Sequence, residues 1–324
     1  MKSSPFSLKA LEVFSALAKT GSVQSAARET GLSIGTASHH LRKLEGSLGT
    51  ALFDHTRRPL RVTPTGAVFQ RNVDAALQLI RKAEIEAQSG SLPDTRRLAV
   101  ALIEDFDTEI APELARMLSS AMPQCRFRHL TRASHEILEL LRNSAIDIGI
   151  ASRPADVPAE LIEMPLLRDP FVIALPASSK LEADDVFEAH ADLPFLRYSA
   201  NQIMATQIEQ HLRRLRRSLP AQHEFDSNQT LMAVIANGGG WAITTPTNFM
   251  RARVMHSMIR LAPFPGKGFS RTISAFTSEL SDTSATRAVA ETLRRLIEMR
   301  AVKPCTEALP WLQNGFRVLT QENL

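Results

Sequence analysis

The sequence predicts an α/β protein that begins with a small all-helical module. Residues 1–62 have the pattern of three short helices followed by a two-strand ribbon, whereas strand-like and helix-like runs alternate from residue 98 onward. Strands that alternate with helices are typical of parallel βαβ units, with helices on both faces of a sheet. The length of 324 residues fits about two domains.

Positive charge is concentrated in the first module, residues 1–62, which we call the head. It contains nine Lys and Arg residues and four Asp and Glu residues, whereas the whole chain has a net charge of only +4. A basic head on a neutral body indicates a polyanion partner. The sequence begins without a secretory signal pattern, and Cys125 and Cys305 cannot form a disulfide framework. We therefore expect a cytoplasmic protein with no membrane association.

Serines and glycines mark the helices of the head. Each helix is expected to begin at a capping serine, namely Ser7, Ser22 and Ser33, and to end near Gly21, Gly31 and Gly49. The second and third helices are separated only by Gly31-Leu32-Ser33, and so short a turn is typical of a helix-turn-helix. Two short apolar pieces, Leu52-Phe53 and Arg61-Val62, flank a basic loop and predict a small β-ribbon, or wing.

The third helix has two distinct faces. One stripe is apolar and consists of Ala37, Leu41, Leu44 and Leu48; the other is small, polar and basic and consists of Gly35, Ser38, His39 and Arg42. Hydroxyl, imidazole and guanidinium groups can bond base edges in a DNA major groove, and glycine permits close approach. An ordinary solvated helix face is the alternative. The short turn, the basic wing and the concentrated charge together favour DNA binding.

A long helix and a hinge are predicted over residues 63–92. Thr63 is expected to cap this helix, and Pro64 suits its first position. Apolar residues follow at spacings of four and three, as in a heptad seam for dimerisation: Phe69, Val73, Ala76, Ile80 and Ala83. Because the seam spans fewer than three heptads, it should pair with a second copy or pack on the head.

Residues 93–302 are predicted to form an α/β body with two lobes. Strand-like runs extend from Leu98–Ile103 to Thr272–Thr277, with helices at about 109–121, 135–143, 202–217, 229–237 and 284–300. The stretch near 174–272 is expected to be a second lobe inserted into the first. In the tail, residues 303–324, we expect Trp311 and Phe316 to be packing groups.

Several motifs of residues 6–66 match one known family. They include Ala10-Leu-Glu-Val-Phe14, Gly21-Ser-Val-Gln-Ser-Ala-Ala27, Leu44-Glu45 and Thr63-Pro64-Thr65-Gly66. Over residues 6–66 the sequence resembles LysR-type transcriptional regulators, and the order of linker helix and two-lobed body resembles the family to about residue 300. The resemblance implies a winged helix-turn-helix, antiparallel pairing of linker helices, and an effector domain resembling periplasmic binding proteins. It also implies dimers that assemble into tetramers.

The resemblance implies that DNA contacts come from the third helix and the wing. Ser33, Ser38, Arg57 and Arg58 match the family positions for DNA contact. The other expected contacts lie on the third helix and are Ile34, Thr36, His39 and Arg42. Three positions depart from the family, since Ile34-Gly35 replaces the usual Gln-Pro pair and His39 replaces the usual arginine. Isoleucine can touch a thymine methyl but cannot hydrogen-bond a base. The operator sequence therefore cannot be carried over from the family.

A cleft for a small polar effector is expected between the lobes, where strand ends meet helix starts. Its expected contacts are Asp105, Phe106, Arg132, Ser134, Ser199, Asn228 and Thr244. Ser134 and Asn228 each precede a helical run, so helix capping alone is the alternative for these two residues.

The first loop of this cleft carries three carboxylates, Glu104, Asp105 and Asp107, which would repel a simple anion. Either the ligand carries an amine or another cation, or the acids are offset by Arg132, Arg153 and Arg197. Asp107 alternatively caps the helix that follows it.

Catalytic and cofactor chemistry has little support in the sequence. Gly238-Gly239-Gly240 follows a helix and precedes a strand, which is the reverse of a phosphate loop. The histidines are scattered, and no nucleophile motif occurs. We therefore expect a ligand-responsive DNA-binding regulator that is not an enzyme and uses no metal or cofactor. Its partners would be double-stranded DNA, a small-molecule effector and further copies of itself. The alternative is a two-lobed solute-binding protein or α/β enzyme with an incidental basic head.

Overall fold

The computed structural model describes residues 6–57, 59–89, 97–187, 193–278 and 283–320. Two compact units make up the chain, with residues 1–94 in the first and most of residues 95–324 in the second. Within the described ranges, no helix is both long enough and apolar enough to cross a membrane.

Three short helices, a ribbon and one long helix form the first unit. They are α1 (Leu8–Thr20), α2 (Val23–Glu29), α3 (Ile34–Leu48), β1 (Phe53–Asp54), β2 (Arg61–Val62) and α4 (Pro64–Ser89). The hydroxyls of Ser7, Ser22 and Ser33 accept hydrogen bonds from backbone N–H groups in the first turns of α1, α2 and α3. The predicted serine caps are therefore confirmed. Gly21 and Gly49 end α1 and α3 in the left-handed conformation.

Phe14 lies at the centre of the core of the first unit. Its ring is 5.4 Å from the ring of Phe53 on the ribbon and 5.2 Å from that of Phe69 on α4, both in edge-to-face contacts. Val73 and Leu77, further along α4, are buried in the same core. The first half of α4 therefore packs against the rest of its own unit. Phe69 and Val73, two residues of the predicted seam, belong to this intramolecular core.

The later seam residues of α4 have different surroundings. Ala76 is half-buried and Ile80 is exposed, whereas the side chain of Ala83 lies outside the part of the chain that is described. Asp74 lies on α4 between Val73 and Ala76, and its carboxylate accepts a hydrogen bond from the hydroxyl of Ser15 on α1. This bond fixes α1 against α4.

A six-stranded sheet forms the first lobe of the second unit. Its strands are β3 (Arg97–Leu102), β4 (Arg126–Thr131), β5 (Ile148–Ser152), β6 (Leu161–Pro170), β12 (Ser270–Ser278) and β13 (Arg317–Val318). They lie in the order β13-β6-β12-β5-β3-β4, and β3 runs parallel to both β4 and β5. Helices α5 (Ala111–Ala121), α6 (Ser134–Arg142) and α10 (Thr283–Ile297) contact these strands. The carboxyl ends of β3, β4 and β5 therefore meet at one edge of the sheet.

The second lobe is an insertion between β6 and β12, as the sequence predicts. It contains β7 (Val172–Pro176), β8 (Phe195–Tyr198), β9 (Ala221–Phe225), β10 (Ala242–Thr244) and β11 (Ile259–Pro263). Its helices are α7 (Ile203–Arg214), α8 (Asn228–Ala236) and α9 (Pro246–Arg251). β7 pairs with β10 and β11, and β8 pairs with β9. The chain therefore crosses between the lobes twice, after β6 and before β12.

Several parts of the second unit are not predicted from the sequence, among them β6, β9, β11, α9 and the folded tail. Prolines obscure β6, and Pro165 lies opposite Ser274 at the point where the pairing with β12 shifts register. The tail forms α11 (Lys303–Ala308) and β13, which pairs with β6. Phe316 is completely buried, as expected of a packing group, whereas Trp311 is 41% exposed.

Gly66, in the first turn of α4, lies directly against the ribbon. A Cβ atom at this position would overlap the carbonyl oxygen of Leu52 and lie 2.7 Å from Cγ1 of Val62. The same carbonyl accepts a hydrogen bond from the backbone N–H of Thr63 at 2.9 Å. The start of α4 therefore needs glycine in order to dock on the ribbon.

We predict that Gly66→Ala lowers the free energy of unfolding by about 1–3 kcal/mol, because the added methyl group forces the helix away from the ribbon. Gly46→Ala is the matched control, since Gly46 lies within α3 and its Cβ would meet nothing within 4 Å. That control should be neutral or stabilising by up to about 1 kcal/mol. Urea denaturation followed by far-UV circular dichroism measures both, and equal stability of the two variants would contradict the close packing.

Candidate functional site

The outward face of α3 is polar and open. Its exposed residues are Ile34, Gly35, Thr36, His39 and Arg42, with Ser38 half-buried, whereas Ala37, Leu41 and Leu44 are buried. The two faces predicted from the sequence are therefore confirmed. Ser33, at the start of the helix, accepts a hydrogen bond from the backbone N–H of Thr36 at 3.1 Å. The cap thus holds the first turn, and with it the positions from which side chains project.

Glu45 joins α3 to the ribbon. Its Oε1 accepts hydrogen bonds from the backbone N–H groups of Leu52 at 2.7 Å and Phe53 at 3.2 Å. Its Oε2 lies 3.0 Å from Nε2 of His55. One carboxylate therefore fixes the base of the ribbon relative to the helix that carries the polar face. The motif Leu44-Glu45 draws attention to this residue, but the sequence does not reveal the contact.

The tip of the ribbon presents a basic side chain. Nε of Arg57 lies 3.1 Å from Oδ2 of Asp54, and the Arg57 side chain is 61% exposed. Exposed ion pairs of this kind contribute little to stability. Arg57 could therefore leave Asp54 for a phosphate oxygen with little loss of stability of the fold. Arg58, the other predicted contact at the tip, lies outside the described residues.

A cleft of about 710 Å³ lies between the two lobes of the second unit. It is formed at the carboxyl ends of β3, β4 and β5 and at the starts of α6, α7 and α8. Acidic side chains dominate its lining, with Glu104, Asp105, Asp107, Glu136 and Asp226 against Arg132 and Arg271.

Arg271 is buried at the base of this cleft between carboxylates. Its Nε donates to Oδ2 of Asp169 at 2.9 Å, and its Nη2 donates to Asp105 and, at 3.0 Å, to Oγ1 of Thr245. Its Nη1 donates to Oγ of Ser152 at 3.2 Å. Asp105 and Ser152 belong to the first lobe and Thr245 to the second, so one guanidinium connects the lobes. Burial raises the pKa of Asp169, and the charge of Arg271 opposes that shift.

A second arginine, Arg251 at the end of α9, connects the lobes in the opposite direction, from the second lobe to the first. Its Nε and Nη2 donate to Asp107 at 2.8 and 3.0 Å, and its Nη1 lies 3.1 Å from Oε1 of Glu104. Glu104 also accepts a hydrogen bond from the backbone N–H of Asn228, at the start of α8. Burial raises the pKa of Glu104, and Arg251 opposes this. A carboxylate of the chain itself therefore occupies the N-terminus of α8.

Four of the seven predicted effector contacts line the cleft, and three do not. Asp105, Arg132, Ser134 and Asn228 line it. Phe106 is instead completely buried in the hydrophobic core. The hydroxyl of Ser199 donates to Glu224 at 2.8 Å, and Oγ1 of the buried Thr244 lies 2.7 Å from the hydroxyl of Tyr198. Loop position predicts which segments meet at the cleft, but it does not give the direction of each side chain.

The arginines that offset the acids differ from those predicted. Arg251 and Arg271 do so, whereas Arg132 donates to the carbonyl of Thr131, Arg153 pairs with Glu163 and Arg197 pairs with Glu209. Arg271 and Ser152 are not among the effector contacts expected from the sequence. The sequence does give one signal for Arg271, because this charged residue directly precedes the predicted strand Thr272–Thr277.

The predicted caps around the cleft also need correction. Ser227, rather than Asn228, caps α8, since its Oγ accepts a hydrogen bond from the backbone N–H of Thr230 at 3.3 Å. Oγ of Ser134 accepts from the backbone N–H of Ser152 at 3.0 Å. Asp107 pairs with Arg251 and does not cap α5. These polar groups are therefore occupied in contacts between segments.

Two family models match the chain. The model for the LysR substrate binding domain matches residues 93–298, and that for the bacterial regulatory helix-turn-helix protein, lysR family, matches residues 8–67. The first match alone covers more than half of the chain. The chain belongs to the LysR family of transcriptional regulators. Within this family, the first unit holds the helix-turn-helix and the second unit is the effector-binding domain.

Individual relatives are also regulators. A probable hydrogen peroxide-inducible genes activator of Mycobacterium xenopi is 28% identical over 174 residues, which cover 54% of this chain and 92% of that protein. Full-length OxyR from Pseudomonas aeruginosa, solved as a single-residue variant, has a TM-score of 0.66 and 21% identity, over 89% of this chain and 95% of that one. CbnR in complex with its target DNA has a TM-score of 0.61 and 17% identity, over 90% and 100%. At these identities the two structures show a shared fold.

We predict that Arg271→Leu lowers the stability of the second unit by roughly 3–5 kcal/mol, because Asp105 and Asp169 remain buried without a cation. Burial raises the pKa of Asp169 even beside Arg271. Without the arginine, the folded state holds protons that the unfolded state releases, so stability falls as the pH rises. The deficit relative to wild type should be larger at about pH 8 than at about pH 5. Urea denaturation followed by tryptophan fluorescence measures it.

Arg271→Lys is the control for this prediction. It keeps a positive charge but loses the planar fork that binds two carboxylates, so its deficit should be intermediate and less dependent on pH. If Arg271→Leu loses the same stability at both pH values, then the substitution leaves no buried carboxylate without a cation, and the prediction is wrong.

Proposed function

We propose that this LysR-family regulator binds double-stranded promoter DNA through α3 and the ribbon, and that a small polar effector in the cleft modulates the binding. The observation that carries the proposal is the division of α3 into a buried apolar stripe and an exposed stripe that includes Thr36, His39 and Arg42. This stripe stands beside a basic ribbon tip. Regulation, rather than catalysis, is the role we assign to the chain.

Helix α3 would contact base edges, and the ribbon would contact phosphates. Ser38, His39 and Arg42 supply hydrogen-bonding groups for base edges, and Ile34, which is 53% exposed, offers an apolar contact that suits a thymine methyl. Arg57 and the other basic residues of the head supply charge for phosphates, a contribution that is largely independent of sequence. The DNA complex of CbnR, a protein with the same fold, is consistent with this assignment.

We assign the regulatory input to the polar cleft rather than to peroxide. One relative is named as a hydrogen peroxide-inducible genes activator, and peroxide oxidises cysteine as the thiolate. Cys305 is buried, and burial raises the pKa of its thiol to about 12, which keeps it protonated and unreactive. A thiol-based response would therefore depend on Cys125, the other cysteine of the sequence.

We assign dimerisation to α4. Its first half packs within its own unit, while Val68 and Ile80 remain exposed apolar residues along the helix. Pairing with a second α4 would remove such side chains from water. A dimer, or a tetramer of two dimers, would place several heads on repeated half-sites. Lobe closure would alter the spacing of the heads, because each effector domain follows its α4 in the chain. Bacterial promoter DNA lies in the cytoplasm, which is the compartment we propose.

We predict that Arg57→Ala weakens binding to all DNA sequences alike and reduces the slope of log affinity against log salt by about one. Ser38→Ala and His39→Ala should instead change which bases are preferred. Arg116→Ala, which removes an arginine paired with Glu113 in the second unit, is the charge control. Fluorescence anisotropy with promoter and random DNA at several salt concentrations measures these effects. An unchanged slope for Arg57→Ala would contradict the assignment of the ribbon tip to phosphate contacts.

We predict that Ile80→Asp converts the dimer to monomers at concentrations where wild type remains dimeric, because an unpaired charge would be buried at the seam. Operator affinity should fall with it, since each head contacts one half-site. Asn72→Asp, the same charge change at an exposed position of α4, should leave the dimer intact. Sedimentation velocity measures the assembly state. Loss of the dimer in both variants, or in neither, would refute the α4 seam.

A further inference from the structure

Three hydrogen-bond donors at the junctions around the cleft are already used by the chain itself. The backbone N–H of Asn228 donates to Glu104, that of Ala133 donates to Oε2 of Glu136 at 3.0 Å, and that of Ser152 donates to Oγ of Ser134 at 3.0 Å. Backbone N–H groups at helix starts and strand ends are ordinarily the groups that bind an anion. In this cleft, acceptors of the chain occupy these three.

Among the described residues, a buried acceptor at the cleft is left without a hydrogen-bond partner. Asn228 lines the cleft and is 6% exposed. Its Nδ2 faces Oδ1 of Asp105 at 3.3 Å, which fixes the amide orientation, because a carboxylate oxygen requires a donor opposite it. Oδ1 of Asn228 therefore points elsewhere, and it has no hydrogen-bond partner among the described residues. A buried acceptor of this kind is satisfied by an N–H or O–H donor.

The charge around Asn228 favours a donor that is also positive. Arg271 is shared by Asp105 and Asp169, and Arg251 is shared by Glu104 and Asp107. Four carboxylates thus surround two guanidiniums. Glu136 and Asp226 add two further carboxylates to the lining, against one exposed arginine, Arg132. A cationic nitrogen would reduce this imbalance, whereas a carboxylate would increase it.

We propose that the effector of this protein carries a protonated amine or an equivalent cationic nitrogen, bound beside Asp105 and Glu104 with Oδ1 of Asn228 as a hydrogen-bond acceptor. The inference rests on the proposed role of the cleft as the effector site. It assigns amines and zwitterions as the ligand class and excludes simple carboxylates.

Glu104 is the residue that sets this selectivity. Its carboxylate occupies both the N-terminus of α8 and one N–H group of Arg251. Replacing it by Gln removes the negative charge and leaves Arg251 with Asp107 as its ionic partner. A ligand carboxylate could then approach the helix start and the arginine. Glu104→Gln is therefore expected to gain carboxylate binding and to lose amine binding.

The test uses the full-length chain and three matched probe sets that differ only in charged groups. They are leucine with isoamylamine and isocaproate, phenylalanine with phenethylamine and hydrocinnamate, and glutamate with γ-aminobutyrate and glutarate. Thermal-shift assays and isothermal titration calorimetry measure binding to wild type, Glu104→Gln and Asn228→Ala. Glu113→Gln, which removes a carboxylate from α5 outside the cleft lining, is the matched control, and circular dichroism checks that each variant folds.

For wild type, at least one amine-bearing probe should bind and its matched plain acid should bind about tenfold more weakly or not at all. Asn228→Ala should weaken amine binding by about tenfold, Glu104→Gln should reverse the preference, and Glu113→Gln should match wild type. Plain acids that bind wild type as well as their amine partners overturn the proposal, as does the absence of binding by every amine-bearing probe.

A DNA-binding assay on the same preparation, without any probe, separates this inference from the proposed regulatory role. If wild type binds promoter DNA and only plain acids bind the cleft, the regulator and its effector site stand, and the cationic ligand class is wrong. If wild type fails to bind promoter DNA, the proposed function fails whatever the probes show.

Discussion

The buried guanidinium of Arg271 is the interaction on which the effector domain depends. It binds Asp105 at the end of β3, Asp169 on the strand that leaves the first lobe, and Thr245 at the start of α9. Each of these polar groups, left alone in the interior, would be costly to bury. The two ion pairs of this cluster lie within the first lobe, and the hydroxyl of Thr245 joins the second lobe to it.

In the effector site that we propose, this cluster acts together with Arg251, which pairs with Glu104 and Asp107. The two arginines are saturated by carboxylates of the chain, so a ligand meets acidic groups whose positions are already fixed. An amine that shares Glu104 with Arg251 would weaken a contact that Arg251 makes across the lobes. Because a ligand shifts a conformational equilibrium only through contacts that differ between the states, this shared carboxylate gives a physical route from binding to lobe movement.

Local patterns of the sequence predict most of the fold and little of the cleft chemistry. The serine caps and the two faces of α3 depend on residues within one or two helical turns, so spacing alone reveals them. Likewise, alternating strands and helices predict the inserted lobe. Arg271 is different, because its contact with Asp105 spans 166 positions of the chain and depends on the register of β6 against β12. The directions of Phe106 and Thr244, and the bulge at Pro165, depend equally on tertiary packing.

On α3, the residues that stabilise the fold differ from the residues that face outward. Leu41 and Leu44 face the core, and Glu45 anchors the ribbon through backbone N–H groups, so the contacts that hold the head together avoid the outward stripe. Side chains such as Ile34 and His39 contribute little to packing. Their identity is consequently free to vary during evolution without loss of the fold, and under the DNA-binding role that we propose for α3 such changes would alter the operator that is recognised.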